Sequence, residues 1–305
     1  MIFAGIDIGS NAVRILFAEM FEGLNQTLVT SKVSFIRVPL RLGEDVFSLG
    51  YIREESTQNL IETLLAFKMF IAIYKTTDYA VYATAAMREA SNKEEVVAAV
   101  LAQTGMQIQI IGGLEEANVI RLAGNIQENE NSSMEMFVDV GGGSTEISVT
   151  QKQAFINSNS FALGTLRLLH HAEDPHEWMR LQQWLHTFKQ NFGHIDLVGS
   201  GGNINKITKL FGEPNKQHIT FSQLRKATMR LEKMTLEERM LTYKLRPDRA
   251  DVILPAAKLF LFISQEIESD AIIVPKFGLA DGIVCKLYQK YQKSRKDGFL
   301  STSLE

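Results

Sequence analysis

The chain has 305 residues, enough for two domains of ordinary size. With 45% hydrophobic and 22% charged residues it is globular rather than disordered, and a net charge of −3 excludes a global attraction to nucleic acid or an anionic membrane. No run of about 18 apolar residues predicts a membrane span, and the single cysteine, Cys285, in the apolar run Gly-Ile-Val-Cys, has no partner for an internal disulfide and reads as a small buried hydrophobe. Asp7 interrupts the first apolar run and no basic segment precedes it, so a signal peptide is not expected and the cytoplasm is the expected location.

The first stretch, Ile2-Phe-Ala-Gly-Ile-Asp-Ile-Gly-Ser-Asn-Ala-Val-Arg-Ile-Leu-Phe-Ala18, reads as strand, Gly-polar turn, strand. Residues 34–42 alternate well enough for a third strand. Residues 53–74 carry Leu60, Ile61, Leu64, Leu65, Phe67, Phe70 and Ile71 at helical spacing. A short strand over 79–83 leads into Thr84-Ala-Ala-Met-Arg-Glu89. Ser91-Asn-Lys-Glu94 has the form of a capping box, with Gly105 as the stop of the helix it opens. Another strand covers 106–111, and residues 112–124 form a turn and a helix opening on Glu115 and Glu116. The polar segment 125–133 reads as a hinge.

The second half opens on Met136-Phe-Val-Asp-Val-Gly-Gly-Gly-Ser-Thr-Glu-Ile-Ser-Val149, again strand, tight turn, strand. Asp139, Gly141, Gly143 and Ile147 each lie 132 positions after Asp7, Gly9, Asn11 and Ile15. A repeat of that length predicts two similar halves, each offering a hairpin turn to a shared cleft. Residues 159–169 occupy the place of the third strand. Asp174-Pro175 marks a helix start running toward Phe192. The strand over 195–198 leads to Gly199-Ser-Gly-Gly-Asn203 and a helix to Phe211. Thr220-Phe-Ser-Gln223 and Thr235-Leu-Glu-Glu238 are two more capping boxes. A helix follows over 254–267 with Pro255 near a bend, then a short strand over 271–274, a turn at 277–282 and a final helix over 283–296, which can pack back on the first half. That helix ends in Lys286, Lys290, Lys293, Arg295 and Lys296, a solvated basic end that complements the helix dipole. The tail 297–305 is expected to fray. The domain division is 1–125 and 126–305.

Four turns are expected to converge on one cleft: 9–11, 84–88, 141–144 and 199–203. The glycines let a ligand approach backbone N–H groups, and successive N–H groups make a concavity that suits phosphate. Arg88 supplies a planar fork for the same anion. Asp7, Asp139 and Glu146 beside phosphate point to a divalent cation. Glu115 and Glu116 either complement a helix start or supply a general base for attack on phosphorus, and the spacing does not choose between them. His170, His171 and His176 form no convincing metal set, no nucleophilic serine elbow is present, and there is no Walker A sequence.

Ile6-Asp-Ile-Gly-Ser-Asn11, Val138-Asp-Val-Gly-Gly-Gly-Ser-Thr-Glu146 and Gly113-Leu-Glu-Glu-Ala117 resemble the exopolyphosphatase and guanosine pentaphosphate phosphohydrolase family (Ppx/GppA). Leu163-Gly-Thr-Leu-Arg167 and Arg249-Ala-Asp251 extend the resemblance nearly end to end. It implies an α/β, actin-like (ribonuclease H-like) ATPase fold with two βββαβαβα domains and a cleft between them. It implies hydrolysis of a terminal phosphoanhydride of inorganic polyphosphate or guanosine pentaphosphate (pppGpp) with Mg²⁺ or Mn²⁺. By position, Glu116 becomes the general base, and Ser10, Asn11, Arg88, Gly141, Gly142, Gly143, Ser144, Gly201 and Gly202 hold phosphate. Asp7, Asp139 and Glu146 then serve the metal. The chain resembles the short form without further helical domains, with no nucleic acid or membrane partner and with the pairing of two copies left open. Two departures bear on substrate preference: Ala12 stands where the family has Ser, and Ala280 stands where it has Arg. A phosphohydrolase and a non-catalytic sensor of the same anions are the functions in contention, with a sugar kinase or chaperone-type ATPase of the same superfamily disfavoured because the chain has no long insertion or peptide-binding domain.

Overall fold

The structure, a computed structural model, describes residues 1–22, 28–124, 134–152 and 154–302. The segment read as a hinge, 125–133, lies outside the described residues.

Each half is built on a mixed sheet. In the first, β1 (Ile2–Ile8), β2 (Val13–Glu22) and β3 (Leu28–Val38) form an antiparallel meander, and β4 (Asp78–Ala83) and β5 (Ile108–Ile110) add parallel to β1, in the order β3-β2-β1-β4-β5. Helices α1 (Leu42–Leu49), α2 (Glu54–Ile73), α3 (Ala85–Glu89) and α4 (Lys93–Thr104) make the crossovers, and α5 (Gly113–Gly124) follows β5. In the second half β6 (Glu135–Val140), β7 (Thr145–Gln151) and β8 (Ala154–Phe161) repeat the meander. The rest runs α6 (Thr165–Leu169), α7 (Pro175–Phe192), β9 (Asp196–Ser200), α8 (Gly202–Phe211), β10 (His218–Thr220), α9 (Phe221–Glu232), α10 (Leu236–Tyr243), α11 (Pro247–Ala250), α12 (Ile253–Glu266), β11 (Ala271–Ile273) and α13 (Leu279–Thr302). The second sheet has the order β10-β11-β9-β6-β7-β8, the first sheet's order with one added edge strand.

Alternation along the strands decides what each face meets. Ala4, Ile6 and Ile8 of β1 pack into a core under α2 and α4, and Met136, Val138 and Val140 of β6 into a second core under α7 and α12. The opposite faces, carrying Phe3 and Phe137, turn toward each other across α5 and α13 and form a third core with Ile120, Ile283 and Tyr288. Asp7 has the parity of Phe3, and Asp139 that of Phe137. Both acids therefore sit on the faces between the halves, at the carboxyl ends of parallel strands, where open α/β sheets bind ligands.

Helix α13 packs against α5 and β1. It begins at Leu279 rather than at 283, because residues 277–278 alone suffice for the turn, and it continues to Thr302, through the part of the tail expected to fray; 303–305 are not described. The third strands end earlier than the alternation suggested. Residues 42–49 are helix α1, with Leu42 and Val46 buried at i,i+4 spacing and Gly50 closing it at φ 83°. Likewise 165–169 is α6. The expected capping box at Ser91 is not formed: α4 starts after Asn92, whose side chain instead exchanges hydrogen bonds with the backbone of Ile52. Asp174, Thr220 and Thr235 do cap their helices. Strand β10, three residues on the sheet edge, carries too short a pattern to be read from sequence.

Gly282 marks the tightest helix contact. A Cβ there would lie 1.9 Å from the carbonyl oxygen of Val119 on α5. In a solvated helix Gly→Ala stabilises by about 1 kcal/mol. Here the sign reverses, and Gly282→Ala is expected to lose about 1–3 kcal/mol in urea unfolding. A stabilised variant would contradict this packing.

Candidate active site

The two hairpin turns meet at the mouth between the sheets and are copies at the level of single bonds. Gly9 N–H donates to Ala12 O at 3.1 Å, and Gly141 N–H donates to Ser144 O at 2.9 Å. Strand register then pairs Asp7 with Arg14 and Asp139 with Glu146. Arg14 and Glu146 thus occupy equivalent places with opposite charge.

The triple-glycine turn is held from behind. Thr165 N–H donates to Gly141 O at 3.0 Å, Leu166 and Arg167 N–H to Gly142 O at 2.8 and 3.1 Å, and Arg167 Nε to Gly143 O at 2.9 Å. With the carbonyls drawn toward α6, the N–H groups of Gly142 and Gly143 have no backbone acceptor among the described residues, the arrangement of an anion-binding nest. The first turn is held the same way by Gly43 N–H on Ser10 O at 2.8 Å and Arg41 N–H on Asn11 O at 3.2 Å. The turns touch: a Cβ on Gly143 would come within 2.6 Å of Ala85 Cβ and 2.9 Å of Ser10 Oγ. Glycine is needed there for close approach.

Between the turns lies a cavity of about 360 Å³. All four turns expected to converge reach its wall: Gly9, Ser10 and Asn11; Thr84 and Ala85; Gly141, Gly142, Gly143 and Ser144; Gly201, Gly202 and Asn203. Asp7, Asp139 and Glu116 also line it. Glu116 is 8% exposed and its Oε2 is buried with no hydrogen-bond partner. Glu115 points elsewhere, accepting from Lys286 Nζ at 3.0 Å.

Arg88 and Glu146 are not on that wall. Arg88 donates to Ile111 O at 2.9 Å, and its Nη1 stands 3.9 Å from Glu116 Oε2. Glu146 accepts from Ser160 Oγ at 2.9 Å. Arg14, absent from the sequence-based set, takes a central place: its Nη1 contacts Asp7 Oδ2 at 2.5 Å on the cavity wall. Aligning the repeat one step further, from Glu146 back to Arg14, would have found it. Arg249, Asn205, Lys32, Lys276 and Ala280 also line the cavity, and Lys32 Nζ donates to Lys276 O at 2.9 Å. They come from distant parts of the chain; Arg249 belongs to the Arg249-Ala-Asp251 stretch that carries part of the family resemblance, and no local pattern marks Asn205, Lys32 or Lys276.

Burial dominates the electrostatics. It raises the Glu116 carboxyl well above its ordinary value, with Glu146, Asp7 and Asp139 adding to the rise and Arg88 opposing it. Burial likewise raises Asp139 from 3.8 to about 6 and Glu146 from 4.5 to about 7. Burial works against the charge of Arg14 too, yet Asp7, Asp139 and Glu116 hold its pKa above the usual value.

Residues 24–291 match the sequence model of the Ppx/GppA phosphatase family. The chain belongs to that family. Exopolyphosphatase 1 of Mycobacterium leprae is 24% identical over 301 residues, which cover 92% of this chain and 88% of the relative. A crystal structure of the Aquifex aeolicus family member superposes with a TM-score of 0.76 at 25% identity, covering 95% of this chain and 98% of the other. An exopolyphosphatase from Cytophaga hutchinsonii, 18% identical, shares the fold with a TM-score of 0.83 over 95% of this chain and 98% of its own.

The donor set bears on the metal the family resemblance implies. Asp7, Asp139, Glu116 and Glu146 offer hard carboxylate oxygens, yet no three metal-ligating side chains among the described residues stand close enough to form a ready-made cage. Hard carboxylate oxygens are the donors Mg²⁺ takes, commonly one or two of them with water and substrate oxygens completing the shell.

The raised acids also fix a sign for stability. A carboxyl with a higher pKa folded than unfolded contributes stability below its unfolded value, and the contribution is lost as pH rises through the folded one. From Asp139 and Glu146 that window runs from about pH 4 to about pH 7. In melting scans without metal, Glu146→Gln should therefore gain on the wild type as pH rises through this window. A constant difference between the two would contradict the buried site.

Proposed function

We propose that this member of the family removes orthophosphate from the end of inorganic polyphosphate, with Glu116 as the general base and Mg²⁺ (or Mn²⁺) as cofactor. The observation that carries the reading is the buried carboxylate oxygen of Glu116, without a hydrogen-bond partner, in the same cavity as Gly142 and Gly143, whose N–H groups have no backbone acceptor among the described residues. A base and an anion cradle share one enclosed space, as phosphoryl transfer to water requires.

In this mechanism the terminal phosphate is received by the N–H groups of the triple-glycine turn, with Ser10, Asn11, Ser144, Gly201 and Gly202 around it and Arg14 offsetting its charge. The oxygen of a water beside Glu116 attacks phosphorus. The bond to the bridging oxygen breaks, the water proton passes to Glu116, and the chain leaves one unit shorter with the bond's electron pair on its new terminal oxygen. Arg88 does not touch substrate in this arrangement; standing 3.9 Å from Glu116 Oε2, it draws the base toward its ionised form. Of the three acids expected to serve the metal, Asp7 and Asp139 line the cavity and would hold the cation, with Glu146 at the register position opposite Asp139; the cation when bound would supply Lewis-acid neutralisation of the phosphoryl oxygens.

We also assign the halves to the actin-like, ribonuclease H-like arrangement, because each couples an antiparallel meander to parallel strands around a shared crevice. The absence of a long apolar helix among the described residues and a lone buried cysteine are in keeping with a cytoplasmic setting. The pppGpp reading has one observation in its favour: Phe35, 55% exposed, lines the cavity and offers a ring face to a base.

Phosphate release from long polyphosphate, tripolyphosphate and pppGpp, measured side by side with Mg²⁺, tests the assignment. Polyphosphate is expected to be the best substrate. Glu116→Gln is expected to lower kcat about 10²–10⁴-fold with KM little changed. A variant as active as the wild type would remove Glu116 from the chemistry, and tight binding of polyphosphate by the wild type without turnover would make the protein a sensor.

A further inference from the structure

The outward face of α2 changes character part-way along the helix. Over the first half it presents Glu55, Gln58, Asn59 and Glu62, all exposed. From Leu64 to Ile73 the only polar side chain is Lys68, whose Nζ donates to Thr104 O at 2.6 Å. Leu60, Ile61, Leu64 and Phe67 are buried in the core of the first half. The other side carries Leu65, Ala66, Met69, Phe70, Ala72 and Ile73, every one exposed, Met69 at 68% and Ile73 at 69%. Leu101, one turn before Thr104 on α4, is exposed as well. Among the described residues no other helix exposes more than two large hydrophobic side chains.

A surface helix keeps polar residues on the side away from its core, and a helix that is apolar all round is covered all round. The second half of α2 has the composition of the latter while standing at the surface. A contiguous apolar patch of this kind marks an interaction site. It does not face the catalytic cavity: α2 packs on the side of the first sheet that carries Ala4, Ile6 and Ile8, opposite to the side that carries Phe3 and Asp7. The patch is therefore open to another protein surface without blocking the site.

We infer that a second copy of the chain docks on this patch, the two α2 helices crossing antiparallel about a two-fold axis at Met69. The charges of the helix select this occupant, because they are segregated by sign. Glu54, Glu55 and Glu62 precede the apolar stretch and Lys75 follows it, and neither Glu62 nor Lys75 makes an ion pair among the described residues. A two-fold axis at Met69 sets Leu65 against Ile73 of the other copy, Ala66 against Ala72, and Glu62 toward Lys75, and symmetry makes each contact twice. The small Ala66 and Ala72 beside the axis let the helices approach closely. A parallel pairing would oppose Glu62 to Glu62 and Lys75 to Lys75, which is costly. A net charge of −3 leaves little repulsion between two copies. An anionic membrane would ask for cations along the stripe, and its leading end is acidic.

The test is sedimentation equilibrium of the full chain from about 1 to 100 μM, the range in which an interface built on one helix pair is expected to associate. The wild type should pass from monomer to dimer across this range. The double variant Met69→Asp, Ile73→Asp should stay monomeric, a loss of about 100-fold or more in association. Both side chains are exposed, so the variant should fold, and melting curves check that it does. A charge swap reads the arrangement. Glu62→Lys alone should weaken association about tenfold, and adding Lys75→Glu should restore it to within about threefold of the wild type. A wild type that is monomeric throughout would overturn the inference, as would a dimer unmoved by the substitutions at Met69 and Ile73. A dimer that the charge swap fails to restore would overturn the antiparallel pairing.

Discussion

The site depends on placing four carboxylates, Asp7, Glu116, Asp139 and Glu146, in a buried space with Arg14 among them. Taking acids out of water is costly, and the fold absorbs that cost by two routes. Part is met by direct pairing, as between Asp7 and Arg14. The rest shows as raised pKa values, so some of these groups hold protons near neutral pH. A cluster in this condition responds strongly to a cation, and the glycine turns set an anion cradle beside it. The same four acids scattered on a surface would have neither property.

What keeps the space closed is a set of ion pairs between the halves. Arg37 of β3 reaches Asp248 at 2.5 Å, Arg41 reaches Asp251 at 2.7 Å, and Lys32 reaches Asp281 at 2.5 Å. Asn11 in the first turn donates to Asp248 O at 3.2 Å, so the short helix α11 contacts both Arg37 and the first hairpin turn. On the far side Arg167 joins Glu89 at 2.6 Å while its Nε holds Gly143 O. Ion pairs of this half-buried kind draw their value from geometry rather than raw attraction.

Much of this was legible in the sequence. The offset of 132 positions identified two equivalent hairpins, and the three capping residues Asp174, Thr220 and Thr235 placed their helices correctly. These signals are local: they need only a few adjacent residues. Two kinds of feature escaped. Short elements such as α1, α6 and β10 contain too few residues for a periodicity to stand out. Long-range partners such as Lys276 and the latch residues Arg37 and Asp248 are brought together only by the packing of one half on the other. Arg14 is the instructive case between these. Its position was fixed by the repeat, but its charge is opposite to that of its counterpart Glu146, so the repeat does not mark it as an equivalent. Arg88 shows the reverse: its place after a strand suggested contact with phosphate, whereas its guanidinium is taken up by Ile111 O and stands near Glu116.

The central claim is that burial between the two hairpins raises the Glu116, Asp139 and Glu146 carboxyls, so that a cation bound among them displaces protons. Its most direct test is calorimetric titration of Mg²⁺ with tripolyphosphate present, at pH 7 and in buffers of different ionisation enthalpy. The account predicts binding with net release of protons, and less release in Glu146→Gln. Binding with no proton release, or no Mg²⁺ binding at all, would contradict it.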